Sequence, residues 1–370
     1  MTHNTIASSA RTRTVAERQR THSVTGALLC AALFLFVILV SLLFLSHQRS
    51  TAAEPALTAE DTLPQSAALD SAAALLEPIR TEALEEEVVG PPAPLREPEN
   101  IRISVDNSDV HRGDLILINI DHPYVFPESQ PQTVLYGNKS PTYMLSTIAI
   151  SLNTELFPIF DRFLSDFAAA SGCREVLVTS GYRTYEFQEE LYNARVASQG
   201  AEMAALYVAL PGHSEHHAGL AIDMVIFTDG RQYYFSEYDK ASWIIENAPE
   251  YGFFLRYTED KQPITRCAPE PWHYRYVGTP HARLITDSGM CFEEYHDYLH
   301  TFTWDGERLL VAADGTISAT DGYELPAQGY MIYTVPAEEG DVTQIPLPPD
   351  LPYSISGDND HGFIVTVSLG

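Results

Sequence analysis

Hydrophobic residues are distributed along this chain in three distinct ways, and each predicts a different kind of structure. Gly26 to Leu45 reads GALLCAALFLFVILVSLLFL, an uncharged run of about the length a helix needs to cross a bilayer. From Leu156 onward, Leu156, Phe160, Phe163, Leu164 and Phe167 recur at helical spacing until Gly172 interrupts them, which predicts a helix with one face on a core. Further helices are expected over 185–197, near 202–209, over 240–247, and near His281 and Glu293. Short apolar runs predict strands at Leu115–Asn119, Val176–Ser180, Gly219–Phe227, Phe253–Tyr257 and Tyr274–Val277. Past His300 the runs MIYTV (331–335) and FIVTV (363–367) stand between Asp-Gly and Pro turns, as in a small β-rich module. Strands and helices mix without regular βαβ alternation, so the predicted fold class is α+β with a mainly antiparallel sheet and flanking helices.

This patterning divides the chain into a tail (1–25), a membrane-spanning run (26–45), a tether (46–100), a candidate catalytic domain (101–300) and the C-terminal β-rich module (301–370). Arg11, Arg13, Arg18 and Arg20 precede the apolar run while only Arg49 follows closely. The positive-inside bias then keeps the tail cytoplasmic and sends the remainder to the extracytoplasmic side as a single-pass membrane protein. A cleaved signal peptide is the rival reading; the length of the run and the lack of a small-x-small pattern closing it favour the anchor. The stretch 46–100 is dominated by Ala, Pro and Glu, with Glu85, Glu86 and Glu87 in a row, and reads as a disordered acidic spacer.

Composition narrows the partners. With 22 Lys+Arg against 50 Asp+Glu the formal net charge is −28, a balance that repels nucleic acid. Cys30 lies in the apolar run, and Cys173, Cys267 and Cys291 leave room for one disulfide at most, so the fold rests on its core.

Chemistry concentrates in two segments. Pro211 to Asp223, PGHSEHHAGLAID, is a histidine-rich polar loop entering the hydrophobic run LAIDMVIF. A carboxylate inside such a strand costs several kcal/mol unless a cation, a metal or hydrogen bonds compensate it. His216 lies on the loop upstream, and Gly219 permits the turn that brings imidazole and carboxylate together. The second segment, Glu270-Pro-Trp-His273, supplies another imidazole and another carboxylate; Pro271 disfavours helix at Glu270, which predicts an irregular turn before a strand. Two imidazoles and one carboxylate leave an open position on tetrahedral Zn²⁺ for a water, and an unligated glutamate nearby can take its proton. His213 and His217 flank the ligand position and read as loop or supporting residues, Trp272 as core packing, Glu293 and Glu294 as a solvated helix face, and Asp358-Asn-Asp360 as a turn without EF-hand spacing.

Ser214-Glu-His216-His-Ala-Gly219-Leu-Ala221-Ile-Asp223 and Glu270-Pro-Trp-His273 together resemble the paired motifs of VanY-type zinc D-alanyl-D-alanine carboxypeptidases, which are related to VanX dipeptidases. The resemblance covers roughly 115–300. It implies that His216, Asp223 and His273 ligate zinc, that Glu270 is the catalytic base, and that Arg183, in Ser180-Gly-Tyr-Arg183-Thr, stabilises the oxyanion or orients substrate. Ser214, Gln188 and Tyr182 are candidate substrate contacts. The implied substrates are peptidoglycan stem peptides ending in D-Ala-D-Ala. An L,D-carboxypeptidase or a cross-link endopeptidase with the same metal site is the alternative, and a non-catalytic wall-binding protein is a more distant one.

Overall fold

The computed structural model describes residues 100–322 and 325–370. The expected tail, membrane run and tether lie outside the described residues, and among those described no helix is long and apolar enough to cross a membrane. In chain order the first elements are β1 (Ile101–Asp106), β2 (Gln132–Val134), β3 (Met144–Leu145), β4 (Ser151–Asn153), α1 (Leu156–Ser171) and β5 (Val176–Ser180). Helices α2 (Tyr185–Gln199) and α3 (Ala201–Tyr207) then lead through the histidine-rich loop into β6 (Ala221–Thr228) and its partner β7 (Arg231–Tyr233). Next come α4 (Ser242–Asn247), β8 (Phe253–Leu255), the single-turn α5 (Gln262–Thr265), β9 (His273–Tyr276), α6 (His281–Ser288) and α7 (Phe292–Leu299). The remaining strands are β10 (Arg308–Ala312), β11 (Ile317–Thr320), β12 (Gly329–Pro336), β13 (Val342–Leu347), β14 (Tyr353–Gly357) and β15 (Gly362–Ser368).

Two sheets dominate. The first has the order β3-β5-β6-β9-β8, with β7 also pairing β6, and is antiparallel except at β3-β5. The second, β11-β10-β12-β15-β14, is antiparallel throughout. The architecture is thus the α+β, mainly antiparallel class that the patterning predicts.

Helix α1 shows why the sequence folds as it does. Its periodic residues Leu156, Phe160, Phe163, Leu164 and Phe167 are all buried, and each phenylalanine contributes roughly 2 kcal/mol by leaving water. Phe163 packs at 5.0 Å from the Tyr251 ring and 5.5 Å from Phe253, which anchors the helix on the first sheet. Gly172 ends it in the left-handed conformation, φ 69°, with its N–H returned to Ala168 O, a position that favours glycine. The other expected helices and strands are present with ends shifted by a few residues, with one exception.

Leu115–Asn119 is not a strand. The segment is buried from Leu115 to Ile118, but its backbone bonds go elsewhere than to a ladder. Leu115 N–H donates to Ser356 Oγ and Leu117 N–H to Asp358 O. Ile116 O accepts from Arg275 and Leu117 O from Asn359. Apolar patterning reported the burial correctly; side-chain and backbone groups from distant elements replaced the neighbouring strand. Long-range pairing also joins β1 to β13, from Ile101 opposite Leu347 to Asp106 opposite Val342. Leu309, Ile332 and Ile364 of the second sheet share a core with Leu115, Leu117, Phe254, Ile285 and Phe292, so α6 and α7 are sandwiched against both sheets.

Candidate active site

The site is assembled on the first sheet. Asp223 of β6 and His273 of β9 are register partners, as are Ser180 of β5 and Asp223, and side chains directly opposite on one face are neighbours. Neighbouring strands therefore set Asp223 and His273 side by side before any loop contributes. His216 comes from the 3-10 turn Glu215–Ala218, which ends at Gly219 with φ 69°. A Cβ at Gly219 would stand 2.7 Å from Gln132 Oε1 and 2.9 Å from Asn153 N, so glycine is required there both for conformation and for room.

The three donors converge. One atom each from His216, Asp223 and His273 lie within 4.8 Å of one another, and all three residues are buried. His216 Nε2 is 3.3 Å and His273 Nδ1 3.1 Å from the same oxygen, Asp223 Oδ1. Their far nitrogens are already committed. His216 Nδ1 donates to Gly181 O at 2.6 Å, and His273 Nε2 donates to Glu215 Oε2 at 3.1 Å. A neutral imidazole that donates on one side presents a bare lone pair on the other. Both bare nitrogens face a carboxylate oxygen, an arrangement that needs a cation at its centre. Two ligands of a tetrahedral zinc, each about 2.0–2.1 Å from the ion, stand about 3.3 Å apart, so these side chains fit that group.

Charge around the donors is arranged to the same end. Burial, and then the Arg183 charge, lower the His216 imidazole to about 4, which keeps it neutral and available as a ligand. Burial works against a charged His273, but its hydrogen bonds to Asp223 and Glu215 prevail and raise it to about 9, so this cage accepts either a second proton or a metal ion. Glu270 lies in the irregular turn before β9, with its Oε2 3.5 Å from His273 Nδ1. Burial raises its carboxyl to about 7, with Asp223 and Glu215 adding to the rise and His273 and Arg183 opposing it. A carboxylate beside the donors but outside their set is placed to move a proton.

Arg183 reaches Asp223 from the other side. Its Nη2 donates to Asp223 Oδ2 at 2.7 Å and its Nε to Ser180 Oγ at 2.8 Å. The guanidinium side chain remains 16% exposed. Gln188 is fully buried behind it: Oε1 accepts from Arg183 at 3.3 Å and Nε2 donates to Ala209 O at 2.8 Å. Both ends of that amide are therefore occupied within the protein. Tyr182 is half-buried, and Ser214 is buried at the start of the 3-10 turn. His217 ties the loop together, donating from Nδ1 to Arg183 O and accepting at Nε2 from Gly212 N–H. His213 bonds Asn119 O. Trp272 is half-buried beside Tyr234, their rings 5.7 Å apart. Cys173, Cys267 and Cys291 are all free thiols.

A second layer of charge escaped sequence reasoning. Glu215 Oε1 accepts from Arg256 Nε at 2.8 Å and from Arg275 Nη1 at 3.1 Å, while Oε2 holds His273. Burial alone would push the Glu215 carboxyl up; Arg256, Arg275 and His273 hold it well below the usual carboxylate range. Arg256 in turn makes a bidentate pair with Glu293 at 2.7 and 2.8 Å. Glu293 is therefore no solvated helix residue: its side chain is 13% exposed and closes the network behind His273. Glu294, its neighbour, is the more exposed of the two and pairs with Lys261. The signal that could have found the network is the one that exposed Asp223. Arg256 and Arg275 are charges inside the strand-like runs FFLRY and HYRYV, and a charge there must be partnered.

Two imidazoles and a carboxylate around one point, with a detached glutamate beside them and a carboxylate fixing the distal nitrogen of one ligand, define a zinc metallopeptidase. Comparison with known proteins narrows the class. Residues 149–279 match the VanY family, D-alanyl-D-alanine carboxypeptidase. The chain is 32% identical over 271 residues to a D-alanyl-D-alanine carboxypeptidase of Enterococcus faecium, covering 72% of this chain and 79% of that protein. It is 36% identical over 190 residues to the bifunctional D-Ala-D-Ala dipeptidase and D-Ala-D-Ala carboxypeptidase VanXYC of Enterococcus gallinarum, covering 50% of this chain and 94% of that one. Among solved structures, the vancomycin-resistance D,D-dipeptidase VanXYg in complex with a D-Ala-D-Ala phosphinate analogue aligns with a TM-score of 0.61 at 28% identity, covering 73% of this chain and 99% of that chain. The chain belongs to the VanY family.

Proposed function

We propose that this protein is a zinc-dependent D-alanyl-D-alanine carboxypeptidase that removes the terminal D-alanine from peptidoglycan stem peptides. His216, Asp223 and His273 hold the ion, Glu270 is the base, and Arg183 carries positive charge to the reacting carbonyl. The observation that carries this reading is the pair of bare imidazole nitrogens aimed at Asp223 Oδ1 with Glu270 beside them. The relatives' names supply the substrate class.

When bound, zinc supplies a Lewis acid that polarises the scissile carbonyl and acidifies a water. Glu270 takes a proton from the attacking water at its carboxylate and delivers it to the nitrogen of the departing D-alanine as the C–N bond breaks. Negative charge grows on the carbonyl oxygen during attack, and the partly exposed guanidinium of Arg183 is the side chain that answers it. Arg183 also fixes Asp223 through the oxygen that does not face the imidazoles. Ser214 and Tyr182 are the candidate substrate contacts, while Gln188 acts through Arg183. The uncharged run Gly26–Leu45 and the four arginines before it support a membrane anchor that holds residues 101–370 on the extracytoplasmic side, where stem peptides are.

The test is hydrolysis of pentapeptide and tetrapeptide stems by the full chain, with and without a chelator. D-Alanine released from the pentapeptide alone, abolished by chelation and restored by zinc, is the expected result. Release from the tetrapeptide instead establishes the L,D reading, and no release from either overturns the enzymatic one.

A further inference from the structure

A second group of metal-type ligands lies outside the site described above. His296 and His300 stand one helical turn apart at the C-terminal end of α7, with ring centroids 4.5 Å apart. Asp358 sits in the turn between β14 and β15, only 1% exposed. One nitrogen from each imidazole and one oxygen of the carboxylate all lie within 4.8 Å of one another.

Hydrogen bonding at His300 resembles that of the imidazoles at Asp223, while His296 bonds the backbone of the same turn. Asp358 Oδ1 is satisfied by the backbone N–H groups of Asp360 and His361, at 2.7 and 2.8 Å. Oδ2 faces His300 Nε2 at 3.0 Å. His300 Nδ1 is committed to His296 O at 2.8 Å, so its Nε2 meets the carboxylate oxygen either with a second proton or with a lone pair offered to a metal ion. Two lone pairs at that distance repel unless a cation lies between them. His296 is held at the same turn, with Nε2 3.0 Å from Asp358 O. The charge of this buried carboxylate is met by the His300 imidazole and by the backbone N–H groups of Asp360 and His361.

The turn itself is built rather than incidental. Asn359, in the left-handed conformation at φ 68°, donates to Leu117 O and Pro123 O and accepts at Oδ1 from His111. These bonds fasten the turn to the 111–123 segment with no contribution from the cluster. His300 keeps 30% of its side chain exposed, which leaves a route for an ion.

We propose that His296, His300 and Asp358 form a second binding site for a divalent first-row transition metal, with zinc as the expected ion, that fastens α7 to the β14–β15 turn. The donor set, two nitrogens and one oxygen, suits zinc, cobalt, nickel or copper and is poor for calcium or magnesium, which prefer oxygen alone. Its role is structural. Glu293, one turn earlier on α7, pairs with Arg256 behind His273, so an ion at the end of α7 steadies the helix that closes the network around the first site.

Zinc content of the full chain tests this directly, after loading with zinc and dialysis against metal-free buffer. Two equivalents per chain are expected, and one overturns the proposal. His216→Ala removes a ligand of the first site only, so this variant should retain one equivalent and its melting temperature should still rise on adding zinc. Adding His300→Gln, a conservative change at a partly exposed helix end, should abolish both the remaining equivalent and the rise. A His216→Ala protein that neither retains zinc nor gains stability from it, or one whose zinc response survives His300→Gln, refutes the second site.

Discussion

Glu215→Gln isolates what the buried charge behind His273 does. The wild-type carboxylate accepts three hydrogen bonds, from Arg256, Arg275 and His273. The amide keeps the shape and loses the charge. If its oxygen takes the place of Oε1 between the two guanidiniums, its NH2 faces His273 Nε2–H, donor against donor. His273 relieves that clash by moving its proton to Nδ1, the nitrogen aimed at Asp223, and a protonated nitrogen cannot ligate a metal. Loss of a partner that fixes a ligand's tautomer costs about 10–100-fold in metal affinity. Stability falls as well, because removing one member of a buried ion pair costs about 3–5 kcal/mol. The lower end, about 3 kcal/mol, is expected since Arg256 keeps its bidentate Glu293 and Arg275 keeps the carbonyls of Asp114 and Ile116. Competition for zinc against a chelator reads the first effect and urea unfolding of the metal-free protein reads the second. A variant that loses stability but binds zinc within about twofold of wild type would show that Glu215 supports the fold alone, and unchanged values of both would remove the network from the account.

Three further outcomes follow from the same geometry. Glu270→Gln should leave zinc content unchanged and lower D-alanine release by about 10²–10⁴-fold; near-normal turnover would end its assignment as base. Gly219→Ala forces a side chain into the left-handed region, at about 1–2 kcal/mol, and drives its Cβ against Gln132 and the backbone of Asn153, so thermal unfolding should shift down by several degrees, and an unshifted melt contradicts the packing described. The Glu293 carboxyl is pushed up by burial but brought down to about 2 by Arg256. A group with a depressed folded value stabilises the protein above its unfolded value and loses that contribution on acidification. Between the ordinary 4.5 and about 2 the pair should therefore give up roughly 3 kcal/mol. Acid titration of stability in wild type and Glu293→Gln should differ in that window, and parallel curves would contradict the pairing.

The chain's local chemistry was readable in advance. Helix α1 was legible because 3.6-residue periodicity and a terminating glycine are properties of a dozen adjacent residues. His216, Asp223, Glu270 and His273 were legible because each stands out against its own neighbours: histidines crowd one short loop, a carboxylate interrupts a hydrophobic strand, and a glutamate precedes a proline. Folding determined everything that depends on a partner far along the chain. Leu115–Asn119 carries the apolar signature of a strand, yet its backbone is satisfied by Ser356, Asp358, Asn359 and Arg275. Glu293 has the charge of a surface residue, and Arg256, 37 positions away, with Asn119 makes its burial affordable. Glu215 and the cluster of His296, His300 and Asp358 were hidden for the same reason. Periodicity is a local property, whereas the cost of burying a charge is decided by whichever groups the tertiary structure brings to meet it.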